Sequence, residues 1–148
     1  MVVDCPTALA TLITAGIAAE EITSGVAVTD TATRVWVMRR DPATLANISI
    51  VVMPEFREKE AVSRSQDESM LSPYIIVAKR VDPYTNADVD LLARLCQQIE
   101  DYVERTNLVG SVATYKWIGQ EQVQLDDDIL ANDRVFWAGF QVNYKAHD

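Results

Sequence analysis

Apolar residues along this chain follow two rhythms, and each predicts an element type. Leu9, Leu12, Ile13 and Ile17 recur at steps of three and four, the spacing of one helical face. Asp4 stands before them as a candidate N-cap and Pro6 suits a first turn, so a helix is expected from about Pro6. Gly16 weakens it, and Thr23-Ser24-Gly25 should end it. A second helix is expected from Thr85 to Arg105, with Val89, Leu92, Cys96, Ile99 and Val103 on its stripe and Leu91, Leu95 and Tyr102 widening it. Thr85 and Asp88 resemble a capping box with Asp in place of Glu. Asp90, Arg94, Gln97, Gln98, Asp101 and Glu104 fall on the opposite, solvated face.

Alternation marks the strands. In "TATRVWVMRR", Trp36 and Met38 fall on one side and Val35 and Val37 on the other, until Asp41-Pro42 breaks the run. "NISIVVM" puts Ile48, Ile50 and Val52 on one face and Val51 and Met53 on the other, as in a strand covered on both sides. "YIIVAKRV" and "SVATYKWIG" read as the third and fourth strands. In "VFWAGFQVNYKA", Phe136, Ala138, Phe140, Val142 and Tyr144 alternate with Trp137, Gly139, Gln141 and Asn143, a half-buried strand with a polar outer face. Gly139 suits a bulge or a close backbone approach. Helices and strands do not alternate strictly. The expected class is therefore α+β, one domain over residues 1–148, with a mostly antiparallel or mixed sheet of about five strands and two main helices.

One stretch breaks the rhythm. Between "ISIVVM" and "YIIVAK" lies a polar, charged segment at 57–69, far longer than the two to five residues a hairpin needs. It carries both signs of charge, with Arg57, Lys59 and Arg64 against Glu58, Glu60, Asp67 and Glu68. That mixture suits specific docking between copies or partners, although taken alone a solvated, mobile surface loop is the plainer reading.

Charge and chemistry narrow the function. Lys and Arg number 13 against 22 Asp and Glu, a formal charge of −9, and that balance argues against wrapping nucleic acid by counterion release. The apolar start has Asp4 and no Lys or Arg ahead of it, the reverse of a signal peptide, and it is too short to span a bilayer. Cys5 and Cys96 read as two buried thiols rather than a disulfide in a chain that is not exported, although a thiol before a helix start can have a lowered pKa. The one histidine, His147, is next to the C-terminus, which leaves Ser–His–Asp or Cys–His catalysis without a base. Gly16, Gly25, Gly110, Gly119 and Gly139 are too scattered for a phosphate cradle. Asp126-Asp127-Asp128 lacks the spacing of a calcium loop, and turn formation with helix capping explains it more simply. No catalytic, metal or cofactor site is expected. Trp36, Trp117 and Trp137 lie in strands and read either as core or as interface aromatics.

The order of parts is nevertheless distinctive. "ISIVVMP", a charged loop containing Ser63-Arg64, "YIIVAKRVD", the helix "ADVDLLARLCQQIEDYV" and the ending "LDDDILANDRVFWAGFQVNYKA" together resemble the tail-terminator and tail-completion (head–tail joining, neck) proteins of tailed bacteriophages. The resemblance runs from about Thr31 to Lys145 and rests on order and texture. It implies a structural virion protein, not an enzyme, assembled in the host cytoplasm. Its subunits would form a hexameric ring at the tail/neck junction that ends the tail tube and joins it to the head connector, with DNA passing unbound through an acidic lumen. Partners would be further copies, the tube protein and connector or adaptor proteins, without a membrane. Under this reading the loop residues Arg57, Glu58, Lys59, Glu60, Ser63, Arg64, Asp67 and Glu68 form a subunit or partner interface. The alternatives are a head-side connector or stopper, and a cytoplasmic α+β module that binds a ligand through its Trp-rich sheet.

Overall fold

A computed structural model describes residues 3–38, 42–54 and 70–147; the side chains at 42, 43 and 147 lie outside what it describes. The charged segment, with all eight loop residues named above, falls outside the described residues.

The first helix, α1 (Asp4–Ala18), buries Leu9, Ile13 and Ile17 as its spacing requires. Asp4 is its first residue and not its N-cap, because the carboxylate turns away to another part of the chain. The helix closes earlier than Thr23. Glu20 takes the left-handed conformation at φ 61°, and the amides of Glu21 and Ile22 both donate to the Gly16 carbonyl. Gly16 has a packing role, since a Cβ there would meet the Tyr102 ring at 2.7 Å. It lets the two main helices approach closely.

Strand β1 (Ala32–Arg34) is far shorter than its alternation predicts. After Arg34 only the Val35 amide continues the ladder, donating to Val52 O, and Trp36 and Val37 are exposed. A 3-10 turn (Pro42–Leu45) leads to β2 (Ser49–Met53), which runs parallel to β1. Then come β3 (Met70–Leu71) and β4 (Tyr74–Arg80), with β4 antiparallel to β2. Helix α2 (Asn86–Val103) has Thr85 as N-cap, but the capping box does not form. The Thr85 hydroxyl donates instead to the Asp82 carboxylate at 3.0 Å. Leu92, Leu95, Cys96, Ile99 and Val103 are buried, whereas Leu91 is exposed. Part of the helix's polar face is also used: Gln98 Oε1 accepts from the amides of Thr23 and Ser24 at 2.9 Å each.

The chain ends with β5 (Leu108–Val109), β6 (Thr114–Gln120), β7 (Gln124–Leu125), α3 (Asp127–Asp133) and β8 (Val135–His147). The fold is α+β. The sheet has eight strands among the described residues, ordered β1-β2-β4-β8-β6-β5, with β3 and β7 each pairing β8. The extra strands are two-residue pieces too short to leave a periodicity, and every pairing except β1–β2 is antiparallel.

β8 is the axis of the sheet. β4 lines its residues 135–141 and β6 lines 142–147 on the other edge. Because Ala138 and Gly139 pair β4 and β7 at once, β7 prolongs the β6 edge; by the same logic β3 prolongs the β4 edge. Gly139 allows the tight contact expected of it, since a Cβ there would lie 2.7 Å from Ile75 O and 2.6 Å from the Tyr74 ring.

Two cores lie on the two faces. Phe136, Ala138, Phe140, Val142 and Tyr144 of β8 join Ile50, Val52, Ile75 and Val77 beneath α1 and α2. On the outer face Trp137 packs with Val51, Ile76, Ala78 and Val135 under Leu45 of the 3-10 turn and Ile129 of α3. The first half of β8 is thus covered on both sides, which corrects the polar outer face read from its sequence. Both cysteines are free and buried. Burial, with the Asp4 charge beside Cys5 and the Glu100 charge beside Cys96, pushes each thiol up to about 12, opposite to the lowering that a helix start offers.

Asp4 ties α1 to the far edge of the sheet. Its carboxylate accepts from Ser111 N (2.9 Å), Ser111 Oγ (2.8 Å), Val112 N (3.1 Å) and Tyr115 OH (2.6 Å). Partial burial alone would raise its pKa. The bonds from Tyr115, Ser111 and Val112 outweigh that and hold the carboxyl well below the usual carboxylate range.

Two tests follow from this packing. Phe140→Ala is expected to cost about 3–5 kcal/mol in denaturant unfolding, because it empties a fully packed site; a loss below 1 kcal/mol would mean the strand's faces are misassigned. Asp4→Asn is expected to cost about 2 kcal/mol near neutral pH by weakening charge-assisted bonds. A carboxylate with a depressed folded pKa contributes fully above the ordinary range and loses that contribution as pH falls through the folded value. Wild type and Asp4→Asn should therefore converge in stability on acidification below about pH 4, and parallel curves would refute the tie.

Candidate interaction surface

The tryptophans, read together as core or interface, separate in the structure. Trp137 is 9% exposed and belongs to the outer core. Trp117 is half-buried against the main core, and its Nε1 donates to Gln120 Oε1 at 3.0 Å. Trp36 is 52% exposed, with the Arg34 guanidinium 5.7 Å from its ring centroid, a cation–π geometry. Only Trp36 keeps the character of an interface aromatic. Its sequence neighbour Val37 is 82% exposed.

Exposed apolar side chains gather at the opposite sheet edge as well. Val109 of β5 and Val112 of the β5–β6 turn are 82% and 68% exposed. Val3 is exposed beside them, held there by the bonds of its neighbour Asp4 to Ser111 and Val112. Alternation could not reveal this patch, because Val3 lies more than a hundred residues from Val109 and Val112 in the chain.

The backbone of the β1 edge is partly shielded. Ala32 N donates to Thr14 Oγ1 at 3.0 Å, and the same hydroxyl donates to Ala32 O at 3.3 Å. An open groove of about 380 Å³ runs along β1 and β2, lined by Thr31, Thr33, Val35, Ser49 and Val51. Arg34 Nη1 and, in the main core, Tyr144 OH are buried atoms without a hydrogen-bond partner among the described residues. Burial, with Cys5 nearby, pushes the Tyr144 phenol upward.

The outer face of the sheet divides in two. Over the first half of β8, α3 and the 3-10 turn add a layer. Asp126 caps α3 by accepting from Ile129 N at 3.0 Å, while Asp127 and Asp128 project to solvent. The triplet's role as a cap, expected from sequence, is therefore present. It forms one wall of an open cleft of about 400 Å³ over Gly139, opposite Tyr74. Over the second half of β8 no described element adds a layer. Direct cross-strand partners share a face, so Met70, Lys116 and Lys145 stand side by side there, with Asn143 nearby. A bulge at Ile118 leaves that side chain exposed too. Among the described residues no group of three or more His, Cys, Asp or Glu is arranged to hold a metal ion, and no helix is long and apolar enough to cross a membrane.

No family model matches the chain, and no curated protein matches it. Among solved structures, one matching chain whose name states no function shares 14% identity at a TM-score of 0.45, over 93% of this chain and 95% of its own. A likeness at that level carries no argument about function.

The separation of the tryptophans can be checked directly. In the isolated chain, Trp137→Ala should cost about 3–5 kcal/mol and Trp36→Ala about 1 kcal/mol or less. Urea unfolding of both variants measures this, and equal losses would contradict the assignment.

Proposed function

We propose that this chain is a structural virion protein that forms a ring at the tail/neck junction of a bacteriophage, ending the tail tube and joining it to the head connector. The observation that carries the reading is the placement of exposed apolar side chains at two opposite sheet edges, Trp36 and Val37 at one and Val3, Val109 and Val112 at the other. One subunit thereby offers two different contacts at two ends. Repeated contact between unlike patches generates a closed ring when the rotation closes. The net charge of −9 suits a lumen through which DNA slides without adhering. The resemblance of "ISIVVMP", "YIIVAKRVD" and the final aromatic strand to head–tail joining proteins supplies the biological setting.

The reading predicts a ring with a central hole in electron micrographs of the purified protein, or on its mixing with tail tubes. A permanent monomer that associates with neither tubes nor connectors would overturn it. Replacing Glu58 to Glu68 by a Gly-Ser bridge should preserve cooperative thermal unfolding while lowering the fraction of subunits in rings. Unchanged ring formation would remove this segment from the interface.

A further inference from the structure

The bonds that tie Asp4 to the sheet edge come from one short stretch of chain. Asp4 Oδ1 accepts from Ser111 N and Ser111 Oγ, and Oδ2 accepts from Val112 N and Tyr115 OH. Each carboxylate oxygen thus takes two bonds, from donors confined to residues 111–115. The β5–β6 hairpin places these donors without help from α1. Leu108 pairs Tyr115 and Val109 pairs Thr114, Gly110 N closes the turn on Ala113 O at 2.9 Å, and β6 is held in turn by β8. Two successive amides aimed at one group make a concavity of the kind that binds anions. Gly110 opens it to close approach, since a Cβ there would run into Asp4 Oδ2 and stand 2.7 Å from Asp4 Cγ. The carboxylate is not spent on its own helix, whose N-terminus has no side-chain cap.

We propose that the β5–β6 turn is a binding site for a small carboxylate, plugged in the native chain by Asp4. The occupant arrives from 107 residues away in sequence, so tethering is what separates it from a free carboxylate. α1 is anchored in the main core by Leu9, Ile13 and Ile17, and that anchor holds the Asp4 group over the turn at a high effective concentration. Free carboxylates lose to it for that reason. With the Asp4 side chain removed, the donors stay where the hairpin holds them, and Ser111 and Val112 are exposed to solvent. Two donors per oxygen suit a planar group with two oxygens better than a spherical ion such as chloride. The ring of Tyr115 is fully buried, and the closest approach is at Gly110, so the vacated space takes a carboxylate with little bulk behind it. Formate meets that description. The site belongs to one chain and does not depend on the ring.

The test titrates sodium formate into the full-length Asp4→Gly variant and into wild type, with sodium chloride at equal ionic strength as the control. In the variant, formate should raise the melting temperature by mass action and saturate. In amide NMR spectra it should shift the Ser111 and Val112 signals, while chloride does neither. Wild type should respond to formate no more than to chloride, because its site is filled. Adding Tyr115→Phe to Asp4→Gly should weaken formate binding roughly tenfold, the loss of one hydrogen bond to a charged group. Should Asp4→Gly fail to unfold cooperatively in chloride, formate is expected to restore a cooperative transition. Formate that acts no differently from chloride on the variant overturns the proposal, as does a response equal in wild type and variant. So does binding that leaves the Ser111 and Val112 amides unmoved, which would place the anion elsewhere. None of these failures touches the ring reading, which the micrographs decide separately.

Discussion

The whole architecture hangs on the hydrogen-bond ladder of one strand. β8 spans Val135–His147, and both its edges are paired along most of that length by four pieces of chain. A strand paired on both edges must bury its backbone, so its side chains have to be apolar where layers cover them. Phe136, Phe140, Val142 and Tyr144 meet that need toward the helices, and Trp137 meets it toward α3. Neither neighbour runs the full distance. β4 pairs no further than Tyr74 with Gln141 and β6 no further than Gln120 with Val142, so each edge is extended by a two-residue strand. On the outer face the described cover, from α3 and the 3-10 turn, lies over the half that β4 pairs.

How legible this was depends on whether a residue's role is local. The α1 and α2 stripes, the two-sided β2 and the core face of β8 follow from residue-to-residue spacing, and they hold. Asp4 was misread because the N-cap is the local role for an Asp before a helix, whereas its actual partners are Ser111, Val112 and Tyr115. Thr85 was misread in the same way, since Asp82 outcompetes the helix for its hydroxyl. The run after Arg34 alternates well enough for a strand, but β2 offers a partner for little more than Ala32 to Val35, and pairing decides strand length more than propensity does.

The surfaces were the least legible part. Of the three tryptophans in strand-like sequence, only the fold distinguishes the exposed Trp36 from the buried Trp137. The polar outer face read for β8 is correct only at its C-terminal end, where Asn143 and Lys145 lie outside the cover of α3. Met70, Lys116 and Lys145 come from three strands and meet only because β8 pairs both flanking strands at once.

Among the described residues β1 and β5 have no further strand beside them; such edges risk indiscriminate strand addition, and the details here work against that outcome. The edge strands are three and two residues long, too short to template a stable extra strand. At β1, Thr14 occupies both the amide and the carbonyl of Ala32, which removes one donor and one acceptor that an incoming strand would use. At the other edge the β5–β6 turn is pinned by Asp4, so its amides at Ser111 and Val112 are already satisfied. What these edges still offer is side chains, held in fixed positions by a satisfied backbone. Association through side chains is directional and discriminates between partners, whereas backbone pairing accepts almost any extended segment. The same features that disfavour backbone pairing leave Trp36 and Val37 at one edge, and Val109 and Val112 at the other, as exposed side chains on ordered backbone.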